Sequence, residues 1–237
     1  MGDDAAARCR DGRGVARMAA GMEATARGTF IVFDGTEGCG KSTQARMLYD
    51  RLSRSGAGAV GQLLLVRDPG TTRIGEQVRS ILLNPDHAEM NMRCEMLLYM
   101  AARAQMMAET VLPALEAGKV VVSDRFVSST LAYQLGGDGL TAADIRAAAE
   151  TAIRGRWPDL TVLLDLPAEE SLARVSRAKD RIEQRPMAYH QRVRTNYLAQ
   201  AEADPARYRV IDAAREPAAV HEDVWRAVGP LFGGRGA

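Results

Sequence analysis

The sequence has few cysteines, no excess of charge of either sign and no long apolar run, and each absence excludes a class of protein. Its three cysteines, Cys9, Cys39 and Cys94, lie far apart in 237 residues. That spacing allows neither a disulfide framework nor a zinc site, and it favours a reducing compartment. No apolar stretch approaches the roughly 18 residues of a membrane span, and no signal-peptide core is visible. We therefore expect a cytoplasmic protein with no membrane partner.

The charge balance excludes another class of partner. Lys plus Arg number 31 and Asp plus Glu number 30, which gives a formal net charge of +1. This argues against a basic surface for nucleic acid over the whole protein, so no nucleic-acid partner is expected. Hydrophobic residues make up 46% of the chain, as in ordinary globular proteins.

The first segment differs from the remainder. Residues 1–27 contain five arginines separated mainly by small residues, and they contain no aromatic side chain. Such a segment cannot bury enough apolar surface to offset its ordering entropy, so we predict a disordered extension. A targeting peptide is the alternative, but its acidic residues count against that, and Met22 is an alternative start. Residues 28–237 then form one predicted α/β domain.

Five short apolar runs alternate with longer amphipathic stretches. Because the runs are continuous rather than alternating, they predict strands buried on both faces of a parallel sheet. Helical patterns between them lie near residues 41–55, 73–83, 90–117, 128–135, 141–154, 167–177, 187–203 and 216–231. The fold class is therefore α/β, a three-layer arrangement of a five-stranded parallel sheet flanked by helices. The predicted strands are Thr29–Asp34, Gln62–Arg67, Val120–Asp124, Leu160–Asp165 and Tyr208–Asp212.

A glycine-rich loop follows the first predicted strand and opens a predicted helix. Its spacing is that of a phosphate-binding loop, in which glycines let backbone N–H groups converge on phosphate oxygens. Lys41 is expected to reach the β- and γ-phosphates of ATP, and Ser42 to contact Mg²⁺. Cys39 is interpreted as a small residue tolerated in the loop, with a reactive thiol as the alternative. The predicted ATP-binding residues are Gly35, Thr36, Glu37, Gly38, Cys39, Gly40, Lys41, Ser42 and Thr43.

Charged residues end two of the predicted strands. Asp124 is expected near the magnesium ion, and Arg125 after it can hold a second phosphate group through its guanidinium fork. A structural ion pair between these neighbours is the alternative. Asp34, directly before the loop, could bind a substrate hydroxyl or orient magnesium waters, or merely cap a helix.

A basic segment lies between two predicted helices. Residues 174–185 contain five basic and two acidic residues, a net charge of +3. Beside a phosphate loop, we interpret it as a lid, spanning about residues 174–186, that closes over transferring phosphates. A solvated helix face with salt bridges is the alternative.

Six segments together resemble the thymidylate kinase family. They are FIVFDGTEGCGKST at 30–43, RDPG at 67–70, LLYMAARAQ at 97–105, DRFVSSTLAYQ at 124–134, PDLTVLLDLP at 158–167 and DRIEQR at 180–185. The phosphate loop lacks arginine and the lid is rich in it, which is similar to the bacterial type, in which the lid supplies the catalytic arginine. The sequence departs from the family in RDPGTT, where REPGGT is commoner, and in a short lid.

The resemblance implies a P-loop kinase fold and a role for each matching residue. Asp34 takes the acidic position near the deoxyribose 3′-hydroxyl, and Tyr99 takes the position of an aromatic that stacks on thymine. Arg103 matches the residue that reads a base carbonyl, and Arg125 matches the arginine that binds the monophosphate. Ser129, Tyr133 and Gln134 match polar positions near the base and sugar, and Arg177 and Arg181 are the candidate lid arginines.

The implied reaction moves the γ-phosphoryl group of ATP to thymidine monophosphate (dTMP), which supplies dTTP synthesis, with Mg²⁺ as cofactor. The implied assembly is a homodimer built partly on the helix at 90–117, where Met92, Met96 and Met100 recur every four residues. Core packing is the simpler interpretation of that stripe. Two alternatives remain: a kinase for another nucleoside monophosphate, or a P-loop regulatory module that binds nucleotide without transferring phosphate.

Overall fold

A computed structural model of the protein describes residues 28–55 and 62–232; the predicted N-terminal extension lies outside the described residues. All five predicted strands are present within one residue of their predicted bounds. They form a single parallel sheet in the order β2-β3-β1-β4-β5, as the fold-class prediction requires. The strands are β1 (Thr29–Gly35), β2 (Leu63–Arg67), β3 (Val120–Asp124), β4 (Leu160–Asp165) and β5 (Tyr208–Asp212).

The predicted helices are also present, with two differences. The stretch predicted as one helix at 90–117 consists of α3, a π-helical turn at Met107–Val111, and α4, which follow one another without a break. The helix predicted at 167–177 ends at Ala173, which leaves the basic segment after it outside any α-helix. The helices are α1 (Lys41–Arg54), α2 (Arg73–Leu83), α3 (Met92–Met106), α4 (Leu112–Glu116), α5 (Val127–Tyr133), α6 (Ala142–Ile153), α7 (Ala168–Ala173), α8 (Met187–Ala203) and α9 (Pro217–Val228).

Local sequence sets where several helices begin. The Thr72 hydroxyl accepts the Gly75 amide at the start of α2, and Asn91 accepts the Cys94 amide at the start of α3. Thr141 and Asp144 form a reciprocal capping box before α6. Each cap satisfies a first-turn N–H group that has no partner within the helix.

The core lies on both faces of the sheet. Side chains alternate along β1, so Phe30 and Val32 pack against α3, α5, α6 and α8, whereas Ile31 and Phe33 pack against α1 and α9. Because side chains of a strand point alternately to opposite faces, a sheet covered on both sides needs continuous apolar strands. The stripe of Met92, Met96 and Met100 is buried in the first of these clusters, as the core-packing interpretation predicts.

The carboxyl ends of the strands bring the predicted site residues to one edge. Asp124 pairs in register with Phe33 of β1 and with Arg67 of β2, and the phosphate loop leaves the sheet at Gly35. In open parallel sheets this edge is where ligands bind. In the described ranges, no helix combines the length and apolarity needed to cross a bilayer.

Candidate active site

The phosphate loop joins β1 to α1 and turns sharply at its glycines. Gly35, Gly38 and Gly40 have φ angles of 140°, 74° and 96°, a region in which glycine alone avoids strain. A Cβ atom on Gly35 would collide with the carbonyl oxygen of Leu164. Gly40 is the N-cap of α1, so the positive end of the helix dipole lies at the loop. This is the arrangement that binds phosphate.

Two polar side chains that were predicted to hold Mg²⁺ meet at this loop. The Ser42 hydroxyl donates a hydrogen bond to the Asp124 carboxylate. Both are oxygen donors, the type that Mg²⁺ prefers, and Mg²⁺ usually takes its other ligands from water and substrate phosphates. The residues therefore fit an ion bound jointly with a nucleotide. Among described residues, no group of three or more His, Cys, Asp or Glu forms a complete protein cage for a metal.

Lys41, the first residue of α1, lies across the loop. Its ammonium is 2.5 Å from the Thr36 carbonyl oxygen and 3.6 Å from the Cys39 sulfur. Only 7% of the residue is exposed, so the charge is held at the loop. The cavity at this point is also lined by Arg174 and Arg177 of the basic segment.

Arg125 lies between the phosphate loop and helices α5 and α8. Its φ angle of 73° is left-handed, an uncommon conformation for a residue with a side chain. The backbone is held there because Arg125 N–H donates to the Phe33 carbonyl and Ser123 Oγ donates to the Arg125 carbonyl. The guanidinium donates to Gly35 O, Glu37 Oε1, Ser129 Oγ, Tyr133 Oη and Tyr197 Oη at 3.0–3.4 Å.

Glu37 is turned toward Arg125. The Tyr133 hydroxyl donates to Glu37 Oε1 at 2.6 Å, and Arg125 donates to the same oxygen. Burial alone would raise the pKa of Glu37, but Arg125 and Lys41 outweigh it and lower that pKa below its ordinary value. Glu37 was predicted, with the rest of the loop, to bind ATP. Its side chain forms part of the Arg125 cluster and lines both the phosphate-loop cavity and the neighbouring one, so its predicted contact with ATP stays a prediction.

That second cavity contains the residues predicted to bind dTMP, with one exception. Its wall includes the predicted residues Tyr99, Arg103, Arg125, Ser129, Tyr133 and Gln134. It also includes Asp68, Arg79 and Glu183, and these three residues and Arg125 line the phosphate-loop cavity as well. The two cavities are therefore adjacent and share a wall.

Arg103 makes more hydrogen bonds within the protein than its predicted role suggests. It is 1% exposed and its Nε lies 2.5 Å from Asp68 Oδ2. Its other hydrogen bonds reach Met100 Sδ, the Phe126 carbonyl and Thr130 Oγ1. Since guanidinium has five N–H donors and four hydrogen bonds are made here, about one N–H remains for a ligand.

The exception is Asp34, which lies beneath the cavity. It has no exposed surface and accepts from Ser128 Oγ, from Ser129 Oγ at 2.5 Å and from Tyr197 Oη at 3.0 Å. Burial raises its pKa, against the opposing effects of Arg125 and the three hydroxyls. Asp34 thus holds the residues that contact Arg125, and its predicted contact with a nucleotide stays a prediction.

The two candidate lid arginines occupy different places. Arg177 lines both cavities and pairs with Glu183 at 2.7 Å, and its side chain is 61% exposed. Arg181 is 7% exposed and lines neither of the two cavities. Its guanidinium donates to Glu95 at 2.5 Å and to the Leu82 carbonyl at 2.8 Å. Arg181 therefore ties the basic segment to α2 and α3, and its predicted catalytic role stays a prediction.

Three further residues of this region were not predicted from the sequence: Asp68, Glu95 and Tyr197. Asp68 stands in the RDPG segment, so its position was noted without a role. Glu95 precedes Tyr99 by one helical turn, a spacing that places both on one face of α3. Tyr197 carries no sequence signal, because its partners Asp34 and Ser129 lie 163 and 68 residues away.

Comparison with known proteins gives matches over most of the chain. A sequence model of the family described as thymidylate kinase matches residues 33–224. The chain is 46% identical over 204 residues to a thymidylate kinase of Pelotomaculum thermopropionicum, covering 85% of this chain and 93% of that protein. It is 43% identical over 208 residues to one of Nitratidesulfovibrio vulgaris, covering 84% and 95%. The crystal structure of thymidylate kinase from Ehrlichia chaffeensis matches with a TM-score of 0.70 at 29% identity, covering 85% of this chain and 99% of that one.

Proposed function

The chain belongs to the thymidylate kinase family and phosphorylates dTMP with ATP, and we propose how its residues carry out that transfer. The observation that carries the proposal is the shared wall of the two cavities. One cavity contains the phosphate loop with Lys41, and the other contains Tyr99 and Arg103. Arg125 lines both, so the two substrates meet at this residue.

The donor phosphates bind at the loop and the start of α1. Backbone N–H groups of the loop surround them, and Lys41 moves its ammonium from the Thr36 carbonyl to the β- and γ-phosphates. Mg²⁺ bound with ATP neutralises phosphate charge, and Ser42 and Asp124 are the residues that would hold it.

The acceptor phosphate binds at Arg125. That phosphate is already ionised, so no strong general base is needed, and catalysis rests on positioning and on neutralising charge. Glu37, Ser129 and Tyr197 orient the guanidinium, and it exchanges part of these contacts for the phosphate oxygens.

The nucleoside occupies the space beyond Arg125. Tyr99 stacks on the thymine ring, since stacking needs only a flat aromatic face. The remaining N–H of Arg103 reaches a base carbonyl, and Gln134 contacts the base edge. Ser129 and Tyr133 lie on the sugar side of the cavity.

Residues 174–186 act as a lid on a kinase domain that spans residues 28–237. Arg177 is the lid arginine that reaches the transferring phosphoryl group, because it lines both cavities and most of its side chain is exposed. To do so it leaves the carboxylate of Glu183, which is 2% exposed and keeps a hydrogen bond from the Asp180 N–H.

The protein acts as a homodimer in the cytoplasm. Ile74 and Ile81 of α2 and Leu97 of α3 are 42%, 41% and 57% exposed, and the two helices pack together. An exposed apolar surface of this kind suits a second copy of the chain. Cys39 and Cys94 are free thiols, which suits a reducing compartment.

The experiment is an ADP-release assay on the full chain with ATP, Mg²⁺ and a panel of acceptors. We expect dTMP to be preferred over UMP and dCMP. Preference for UMP or dCMP would indicate another monophosphate kinase. ATP hydrolysis that does not depend on any acceptor would indicate a regulatory module and would overturn the proposal.

A further inference from the structure

One buried carboxylate connects the base side of the cavity to the lid. Glu95 of α3 has no exposed surface. Its Oε1 accepts from Gln134 Nε2 at 2.7 Å, and its Oε2 accepts from Arg181 at 2.5 Å and from Arg185 at 2.8 Å. A carboxylate buried this fully is stable only when its oxygens are paired in this way.

The contact determines which way the Gln134 amide faces. An ionised carboxylate can only accept hydrogen bonds, whereas an amide has an NH₂ donor at one end and an oxygen acceptor at the other. The NH₂ end of Gln134 must therefore point to Glu95. The other end of the amide, the oxygen Oε1, then makes no contact with Glu95. It is buried without a hydrogen-bond partner, and Gln134 lines the same cavity as Tyr99 and Arg103.

A buried acceptor without a partner is unfavourable unless a ligand supplies a donor. The pyrimidine bases differ at that point. N3 of thymine carries a hydrogen and donates, while N3 of cytosine has a lone pair and accepts. A hydrogen-bond acceptor fixed at the edge of the base therefore favours thymine and disfavours cytosine.

We propose that Glu95 is a positioning residue that sets base selectivity by holding the Gln134 amide with its oxygen available to the base. The inference rests on the proposed function, since it assumes that this cavity binds the nucleoside. Arg181 and Arg185 fix the Glu95 carboxylate. The same carboxylate therefore holds both this part of the lid and the Gln134 amide that contacts the nucleobase.

The test replaces Glu95 by its isosteric amide. In E95Q the new side chain keeps an oxygen for the two arginines and turns its NH₂ group toward Gln134. Gln134 must then present its own oxygen to residue 95 and its NH₂ group to the base. We expect the ratio of kcat/KM for dTMP to that for dCMP to fall by about tenfold or more, mainly through a higher KM for dTMP.

Two further variants separate selectivity from general damage. E109Q changes a glutamate that also accepts from a glutamine amide, Gln105 at 2.8 Å, but at an exposed site, and it should leave the ratio unchanged. E95D keeps an acceptor-only group and should retain the dTMP preference even if both substrates react more slowly.

Each outcome decides the matter. A wild-type protein without dTMP-dependent ADP release would contradict the proposed function rather than this inference. If the wild type is active and E95Q lowers kcat/KM for dTMP and for dCMP by the same factor, the inference is overturned. Loss of the dTMP preference in E95D would overturn it as well. If E95Q does not fold, the variant E95M/R181M/R185M removes Glu95 together with both arginines paired with it, with little change in volume. It frees the Gln134 amide, so an unchanged ratio in that protein would also overturn the inference.

Discussion

Arg125 donates to Glu37 Oε1 across 3.1 Å, which joins the arginine after β3 to the acidic residue of the phosphate loop. The two residues are 88 positions apart in the chain. Because Tyr133 donates to the same carboxylate oxygen, the residues proposed for the acceptor side are already assembled around the phosphate loop.

Glu37→Gln should destabilise the protein by about 1–3 kcal/mol at pH 7, because it weakens a buried charge pair. The pKa of Glu37 is lowered from its ordinary 4.5, so the folded state favours the ionised carboxylate. That stability is fully present above pH 4.5 and is lost as the pH falls through the lower folded value. Denaturant unfolding at pH 7 and below pH 4.5 measures the difference in the free energy of unfolding between the variant and the wild type. This difference should be smaller at the acid pH. A gap of constant size would contradict the prediction; Glu89→Gln at an exposed site is the control.

Lys41→Ala should lose most phosphoryl transfer, by about 10²-fold or more, while the fold is retained. The ammonium is the charge held closest to the loop, and nothing else on α1 replaces it. A coupled ADP assay with dTMP gives the rate, and circular dichroism checks the fold. Lys119→Ala should behave as wild type, because Lys119 directly precedes β3 and lies at the amino ends of the strands, opposite the site. Near-wild-type transfer by Lys41→Ala would exclude the assigned role.

Arg177→Ala and Arg181→Ala should differ in kind. Arg177 lines both cavities, so its loss should lower kcat about tenfold or more. It should cost less stability than the loss of Arg181, because 61% of its side chain is exposed, although its partner Glu183 is buried. Arg181 pairs with buried Glu95, and its loss should lower the free energy of unfolding by about 3 kcal/mol. Steady-state kinetics and thermal unfolding of both variants separate the two roles. The assignment fails if Arg181→Ala is as stable as the wild type and loses only kcat.

Tyr99→Phe should keep the KM for dTMP, whereas Tyr99→Ala should raise it about tenfold, because stacking on a base needs the ring and not the hydroxyl. The KM for ATP should change in neither variant, since Tyr99 lines only the nucleoside cavity of the two. Initial-rate kinetics with each substrate varied in turn measure both constants. An unchanged KM for dTMP in Tyr99→Ala would place the base elsewhere.

Leu97→Asp should convert a dimer to a monomer, because it places a charge in the exposed apolar surface of α2 and α3. Size-exclusion chromatography with light scattering should give about twice the 25.6 kDa chain mass for the wild type and the chain mass for the variant. Val210→Asp, which changes a residue that is 49% exposed on strand β5, is the matched control. A monomeric wild type would rule out the proposed dimer.

Much of the fold follows from local sequence. The three central strands were predictable because each is a short, mainly apolar run, and a strand buried on both faces needs apolar residues at most positions. The edge strand β5 does not have the predicted burial on both faces, since Arg209, Val210 and Asp212 are exposed. The phosphate loop was equally predictable, since its glycine spacing is dictated by the φ angles that the turn requires. The end of α7 at Ala173 was not predictable, because nothing in residues 174–177 forbids another helical turn.

Local sequence patterns are enough to predict the parallel α/β architecture, the phosphate loop at the end of β1 and the set of polar residues brought to the same edge. These depend on hydrophobic pattern, on backbone geometry and on short spacings. The partner of each charged side chain, in contrast, depends on the three-dimensional packing. Arg177 and Arg181 are four residues apart and chemically identical, yet one faces the cavities and the other is bound by Glu95, 86 residues away. Burial and the choice of partner act through distances in space, which the order of residues in a chain does not record.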